Sequence, residues 1–274
     1  MQAREKTQVS LVACDLDGTL LGPGETGLDT ALEVAGLCRK HNLRFTIATG
    51  RVFGAVVKYI EYLGITEPVI TNGGALVSAV GEEPLYEKSI DASLARTVLR
   101  YLRSLNLPFY FVSGKDMLTE WEGAETAAYS ENISYDIRIV PSLEELGISP
   151  TQIVVRTEAH EAVELLEAFR SRWTTELSII RSLPHLIELQ APGVSKARAL
   201  EFLARSYGLD ASKVLAVGDG LNDIDMLSWA GQSACVGNAC DEVKEVAMYK
   251  ASGLYAKGVL EAVKNSLWGL VPQK

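Results

Sequence analysis

Two aspartates one residue apart, Asp15 and Asp17, lie in the stretch CDLDGTLL (14–21), directly behind an apolar run at 9–13. An ionised carboxylate beside a buried strand is costly unless something pairs with it. In extended chain, residues i and i+2 share a face, so both carboxylates set out in the same direction. Two like charges so placed call for a cation, a shared proton or water. Three further segments carry polar groups of complementary chemistry: IATGR (47–51), GVSKA (193–197) and GDGLNDIDML (218–227). Each alone reads equally well as ordinary local structure. Asp-Gly pairs form turns, Asp223 suits a helix start, and Lys196 could be one more surface lysine.

The elements around these segments bring them together. The pattern predicts a strand over 9–14, then a helix over 28–42 with Leu28, Leu32, Ala35 and Cys38 or Arg39 on its apolar stripe. A strand over 43–48, a helix over 52–63 and a strand over 68–71 follow. Beyond about residue 82 the texture changes. Strand-like pieces at 85–89, 109–113, 135–140, 153–156 and 177–181 flank helical stretches at 91–105, 123–132 and 159–173. Segments 108–113 and 116–120 are too close for a helical crossover and predict antiparallel pairing. The βα rhythm returns with helix 195–207, strand 213–217, helix 221–229, strand 233–236, and helices at 240–247 and 258–268. An α+β module is thus inserted in a parallel α/β core. Three of the four polar segments fall at carboxyl ends of core strands, and Lys196 opens the helix feeding the third. That edge of an open parallel sheet is where ligands bind. If strand 213–217 neighbours the first strand, all four segments meet there.

Composition narrows the function. The 274 residues are 47% hydrophobic and 22% charged, which suits a packed core. Twenty-six Lys and Arg against 35 Asp and Glu leave a net charge of −9, with no basic run to offset it. Nucleic acid is therefore not an expected partner, whereas a small anion is possible where positive charge is concentrated. Cys14, Cys38, Cys235 and Cys240 lack zinc-site spacing. The polar residues 1–8 are unlike a signal peptide, and no apolar stretch is long enough for a bilayer. These readings predict a reduced, cytoplasmic protein with no membrane partner. Asn132-Ile133-Ser134 spells a glycosylation acceptor that has no meaning there.

Other motifs fail. GPGETG (22–27) contains Pro23 and does not open from a strand into a helix, and the second strand ends without a ribose-binding acid. Cys14 lacks the arginine six residues on that a cysteine phosphatase needs, since position 20 is leucine. No GxSxG elbow or GxxxxGK[ST] loop is present, and His41, His160 and His185 sit beside no motif.

Taken in order, DLDGT (15–19), Thr49-Gly50, Lys196 and GDGLNDIDML resemble the four motifs of the haloacid dehalogenase superfamily of aspartate-nucleophile phosphatases. The likeness covers essentially the whole chain and is greatest to the Cof-type branch, whose cap is inserted between the second and third motifs. Asn72-Gly73-Gly74 resembles the turn that follows the third strand in that branch. The resemblance implies a Rossmann-like parallel-sheet core over 1–82 and 189–274 and an inserted α+β cap domain over 83–188.

It also implies roles. Asp15 is the expected nucleophile, forming an aspartyl-phosphate. Mg²⁺ is the expected cofactor, held by Asp15, the backbone carbonyl of Asp17 and Asp219, with Asp223 a ligand or just behind one. The Asp17 carboxyl is then free to protonate the leaving alkoxide and later to activate water. Lys196 supplies fixed positive charge. Thr49, Gly50 and Asn222 supply donors to the phosphoryl oxygens, Leu16 its backbone N–H. Arg51, beside the site, is a candidate substrate-binding residue, though its guanidinium could equally orient the cap or pair with an acid. Asp116, Glu120, Trp121 and Arg156 are candidate cap contributors, unranked. The expected activity is phosphate release from a small phosphorylated metabolite, such as a sugar phosphate or phosphorylated cofactor. Phosphomutase, dehalogenase and non-catalytic binding are the alternatives. An acid at Asp17 argues against dehalogenation, because halide needs no proton, and the intact set Asp15, Asp17, Lys196 and Asp219 argues against lost catalysis.

Overall fold

The computed structural model describes residues 9–274, so the polar segment at 1–8 lies outside the described residues. The central strand, β1 (Leu11–Cys14), is buried on both faces, as expected of a continuous apolar run in a parallel sheet. It is followed by α1 (Leu28–Lys40), β2 (Arg44–Ile47), α2 (Phe53–Leu63) and β3 (Val69–Thr71). The buried stripe of α1 is Ala31, Val34, Ala35 and Cys38. Leu32, expected on it, is instead 37% exposed, because the stripe is centred one residue earlier.

A hairpin β4 (Leu76–Ser78) and β5 (Tyr86–Glu87) continues from β3 as a small antiparallel sheet. The strand expected over 85–89 is therefore only two residues long and pairs with β4 rather than within the inserted module. The module then contributes α3 (Ala92–Leu105), β6 (Phe109–Ser113), β7 (Asp116–Thr119), α4 (Ala124–Ile133), β8 (Arg138–Ile139), α5 (Leu143–Leu146), β9 (Gln152–Arg156), α6 (Ala162–Arg172), β10 (Ser178–Leu183) and β11 (Leu186–Gln190). Its six strands run in the order β10-β11-β9-β6-β7-β8. The β6–β7 hairpin is antiparallel, as its short spacing predicts. By strand pairing the chain leaves the core's small sheet after Glu87 and the module's sheet after Gln190. Both crossings lie a few residues beyond the junctions expected at 82/83 and 188/189.

The core resumes with α7 (Lys196–Ser206), β12 (Val214–Gly218), α8 (Ile224–Trp229), β13 (Gln232–Cys235), α9 (Asp241–Val246), β14 (Tyr249–Lys250) and α10 (Ala256–Leu267). Its parallel sheet is ordered β14-β13-β12-β1-β2, and a single bridge from Ala48 to Ile70 ties β3 to the β2 side. β12 is the direct neighbour of β1, with Cys14 opposite Val217. The condition for convergence of the four polar segments is met.

The module's sheet has two unlike faces. Phe109, Phe111, Ile153, Val155, Ile187 and Leu189 point one way and pack on α3 and α6. Their alternates Tyr110, Val112, Val154 and Leu186 point the other way, toward Val52 and Ala55 of the core. That second face looks at the carboxyl edge of the core sheet.

Candidate active site

Asp15 continues from β1, its amide donating to the Val217 carbonyl at 2.9 Å. The chain then folds back, with the Leu20 and Leu21 amides donating to the carbonyl of the fully buried Leu16 at 3.0 and 2.8 Å. The turn runs through Gly18 at φ +85°, where a Cβ would lie 2.3 Å from Asp219 Oδ2. Glycine is required there for both conformation and closeness. The two aspartates part company at this turn: Asp15 is 5% exposed, while the Asp17 side chain is 52% exposed. Both still line the same cavity.

Lys196 is the first residue of α7. Its buried ammonium donates to Asp15 Oδ1 at 2.6 Å and to Asp223 Oδ1 at 2.7 Å. A cation at a helix start opposes the macrodipole, and the two carboxylates offset that cost. The other oxygen of Asp223 accepts the Asp219 and Gly220 amides at 2.9 and 3.0 Å. Both Asp223 oxygens thus already hold donors. The Thr19 hydroxyl donates to Asp219 Oδ1 at 2.5 Å.

One carboxylate oxygen each from Asp15, Asp219 and Asp223 falls within 4.8 Å of the others. Three carboxylates and one ammonium leave this cluster two positive charges short of neutral. Burial pushes Asp15 well above the carboxylate range, Asp223 and Asp219 adding to it and Lys196 only partly opposing it. Burial likewise pushes Asp219 up to about 6. For Lys196 burial acts downward, but Asp15 and Asp223 outweigh it and the ammonium is held. The all-oxygen donor set and the missing charge both fit a divalent cation such as Mg²⁺. Asp15 and Asp219 could hold it, with Asp223 fixing the lysine and the loop. The Asp17 carboxylate stands outside this trio.

Asp17 is instead gripped by Arg51, Nε to Oδ2 at 2.8 Å and Nη2 to Oδ1 at 2.6 Å. Arg51 thus pairs with an acid and at the same time lines the cavity beside Asp15. Arg51 Nη1 also donates to the Tyr59 hydroxyl at 3.1 Å, which donates to Glu25 at 2.6 Å. Thr49 is buried, its hydroxyl accepting the Arg51 amide at 3.2 Å. Gly50 faces open space where a side chain would go, and Asn222 lines the same cavity.

The Asn72-Gly73-Gly74 turn knits these parts together. The Asn72 amide donates to the Arg51 carbonyl at 3.0 Å and the Gly73 amide to that of Thr49 at 3.1 Å. Gly74, at φ +102°, lies so close to α7 that a Cβ would sit 2.3 Å from the Ser195 carbonyl oxygen. Asn72 also reaches the inserted module. Its Nδ2 donates to Thr151 Oγ1 at 3.0 Å, and its carbonyl accepts Gln190 Nε2 at 2.7 Å.

A cavity of about 610 Å³ lies between Asp15, Asp17, Arg51, Asp219 and Asn222 on one side and the module on the other. A smaller adjacent one, about 340 Å³, shares Gly50, Glu188 and Asn222 and adds Lys196. None of the four module residues proposed from sequence lines either cavity. Glu120 pairs with Arg103 at 2.7 Å and accepts the Leu143 amide. Arg156 donates to the Glu125 carbonyl at 3.1 Å, Asp116 accepts from the Tyr135 hydroxyl at 3.3 Å, and the Trp121 amide donates to Thr119 at 2.9 Å. The module instead presents Tyr129, Gln152, Ser182, His185 and Glu188. The alternation of Ile187 and Leu189 with Glu188 and Gln190 was the signal that could have found the last of these. Cys14, set aside as a nucleophile, is fully buried, and burial pushes its thiol up.

The haloacid dehalogenase-like hydrolase family matches residues 12–263. Phosphatase YwpJ of Bacillus subtilis is 28% identical over 268 residues, covering 87% of this chain and 93% of its own. The 5-amino-6-(5-phospho-D-ribitylamino)uracil phosphatase YitU of the same organism is 25% identical, covering 95% and 98%. In fold the chain is similar to TM0651 from Thermotoga maritima, with a TM-score of 0.83 at 23% identity and coverage of 93% and 96%. The chain belongs to the haloacid dehalogenase-like hydrolases, in the Cof-type branch, and is an enzyme of the phosphatase type that these named relatives represent. Among the described residues no helix is long and apolar enough to cross a membrane.

Proposed function

We propose that the protein is a Mg²⁺-dependent phosphatase acting on a small phosphorylated metabolite, a sugar phosphate or phosphorylated cofactor, through an aspartyl-phosphate on Asp15. The observation that carries this reading is the buried Lys196 ammonium joining Asp15 to Asp223 within reach of Asp219. Asp15 attacks phosphorus and the bond to the leaving oxygen breaks, with Asp17 delivering the proton that oxygen needs. Water then attacks the acyl-phosphate, Asp17 takes its proton, and phosphate leaves. The Arg51 fork holds the Asp17 carboxyl at the cavity, so proton transfer at Asp17 calls for the fork to open. Lys196, the Thr49 hydroxyl, the Gly50 and Leu16 amides and Asn222 supply positive charge and donors to the phosphoryl oxygens. A bound Mg²⁺ would neutralise charge on the phosphoryl group and keep Asp15 ionised. The inserted module serves as the cap that closes over the leaving group. A phosphorylated ribitylaminouracil, the substrate named for YitU, is one compound of this class.

The test is para-nitrophenyl phosphate turnover after chelation and after Mg²⁺ is restored, followed by a screen of phosphorylated metabolites for phosphate release. Activity should vanish with the metal and return with Mg²⁺, less well with Ca²⁺, whose larger shell fits in-line geometry poorly. Undiminished turnover in exhaustively metal-free protein overturns the metal's part, and no turnover with Mg²⁺ overturns the reading as a whole.

A further inference from the structure

The cap side of the cavity differs in charge from the phosphate side. Among the described residues, every Lys or Arg that lines either cavity belongs to the core: Arg51 and Lys196. The module contributes no Lys or Arg; its one carboxyl is Glu188, and His185 is its one imidazole. Arg156, next on the β9 face after Gln152 and Val154, is held by the Glu125 carbonyl and over the Tyr129 ring, outside the lining.

Glu188 is a built feature rather than a stray surface acid. Its residue is only 8% exposed, and Gln152, 1% exposed, donates from Nε2 to Glu188 Oε2 at 2.6 Å. The two sit on adjacent antiparallel strands, Glu188 opposite Val154 and Gln190 opposite Gln152, so their pairing is diagonal across the sheet. Both side chains belong to the face turned toward the active site. Burial pushes Glu188 upward, with Ser182, Gln152 and the more distant Lys196 opposing that. A buried carboxyl that lines a ligand cavity gains from a donor or cation on the ligand, and an anion placed beside it loses.

Resting on the phosphatase reading above, we propose that Glu188, oriented by Gln152, selects a leaving group that donates hydrogen bonds, a hydroxylated or amino-bearing one, and rejects a second anionic group there. The accepted class is then monophosphates of polyols, sugars and amino sugars. Bisphosphates and phosphorylated acids are turned away. Glu188 acts as a specificity residue: it meets the remote end of the substrate, while the bond cleaved lies with Asp15.

The probe is a matched set sharing one six-carbon scaffold: glucosamine 6-phosphate, glucose 6-phosphate and 6-phosphogluconate, with para-nitrophenyl phosphate as the reference. For the natural chain kcat/KM should fall in that order, with 6-phosphogluconate at least about tenfold below glucose 6-phosphate. Glu188→Gln should compress the spread between the amino sugar and the acid to about threefold while leaving para-nitrophenyl phosphate within about twofold, since that ester lacks the remote contacts. Retained turnover of the reference ester shows that the variant folds. Gln152→Ala, which frees the carboxyl without removing it, should give an intermediate spread. Equal use of the acid and the sugar by the natural chain overturns the proposal, as does an unchanged spread in Glu188→Gln or turnover of the reference ester but none of the three. Loss of all activity in the natural chain, reference ester included, would instead strike the phosphatase reading itself.

Discussion

The two walls of the cavity are built on opposite principles. On the core side the charged groups are held by partners: Lys196 by Asp15 and Asp223, Asp223 also by two backbone amides, Asp219 by the Thr19 hydroxyl, Asp17 by Arg51. These groups hang from the carboxyl ends of β1, β2 and β12 or from helix starts, where backbone geometry leaves little freedom. On the module side the polar lining is spread over a sheet face, α4 and the β10–β11 turn with few such ties, among them the Glu188–Gln152 pair. Rigid, charge-dense geometry suits a reaction common to many phosphate esters. A lightly tethered, nearly neutral wall can be changed residue by residue without disturbing that chemistry. The contrast implies that damage should grade steeply from the first wall to the second.

The largest loss is expected at Asp15. Asp15→Asn keeps the shape and removes the attacking carboxylate, so turnover should fall by roughly 10⁴-fold or more on every substrate. The fold should survive, since one buried charge of three is removed from a cluster that carries an excess. Circular dichroism with steady-state kinetics checks this, and a folded mutant with near-normal kcat would refute covalent attack from this residue.

Next comes Lys196→Ala. It takes away the ammonium while leaving two buried carboxylates, Asp15 and Asp223, facing each other unpaired. Metal-free protein should lose about 3 kcal/mol of stability, in the range seen when one partner of a buried ion pair is removed. Turnover should fall about 10³-fold, equally for para-nitrophenyl phosphate and for a natural metabolite, because both pass through the same charged phosphoryl group. An unequal loss would mean that the lysine serves the leaving group, and the division between the two walls would fail.

A smaller, graded effect belongs to pH. A metal ligand has to be deprotonated, and Asp219 is pushed up to about 6 by burial. Mg²⁺ affinity, measured by calorimetry, should therefore weaken by at least about tenfold per unit as pH drops below about 6, with Asp15, also raised by burial, adding to the dependence. The linked stability runs the other way in metal-free protein. A folded-state value raised from 3.8 means the folded chain holds the proton more tightly, so stability is lost as pH rises from about 4 through 6. Saturating Mg²⁺ should abolish that loss. Metal affinity indifferent to pH in this window would place the cation away from Asp219.

How much of this was legible in the sequence follows the same division. The core motifs could be read because they converge on one edge of the sheet, although each alone passes for ordinary local structure. Among them are acids crowding the end of an apolar strand and a lysine opening a helix. The short spacing of the β6–β7 hairpin and the parallel α/β rhythm were equally plain. What escaped was whatever depends on which face of a strand meets which partner. Leu186–Gln190 (β11) was not anticipated, so the alternation that turns Glu188 toward the cavity had no element to belong to. The cluster at 116–121 looked chemical by residue type, yet Glu120 is spent on Arg103 and a helix start. A polar residue type declares its chemistry in the sequence, but its orientation is decided by register.

Glu120 gives the smallest expected effect and the sharpest contrast with Glu188. Both are module glutamates, and composition alone does not separate them. Glu120 is fixed by Arg103, whose side chain is 38% exposed, and by the Leu143 amide, and it lines neither cavity. A partly exposed ion pair contributes about 1 kcal/mol or less. Glu120→Gln keeps an oxygen for the Leu143 amide and gives up only the charge, so the melting temperature should drop by no more than about 3 °C. The kcat/KM values for glucosamine 6-phosphate and 6-phosphogluconate should stay within about twofold of the natural chain, and their ratio should not move. Should Glu120→Gln shift that ratio as Glu188→Gln does, the selectivity would reflect the module's overall charge rather than one carboxyl facing the substrate. The distinction between a built wall and a merely acidic one would then be lost.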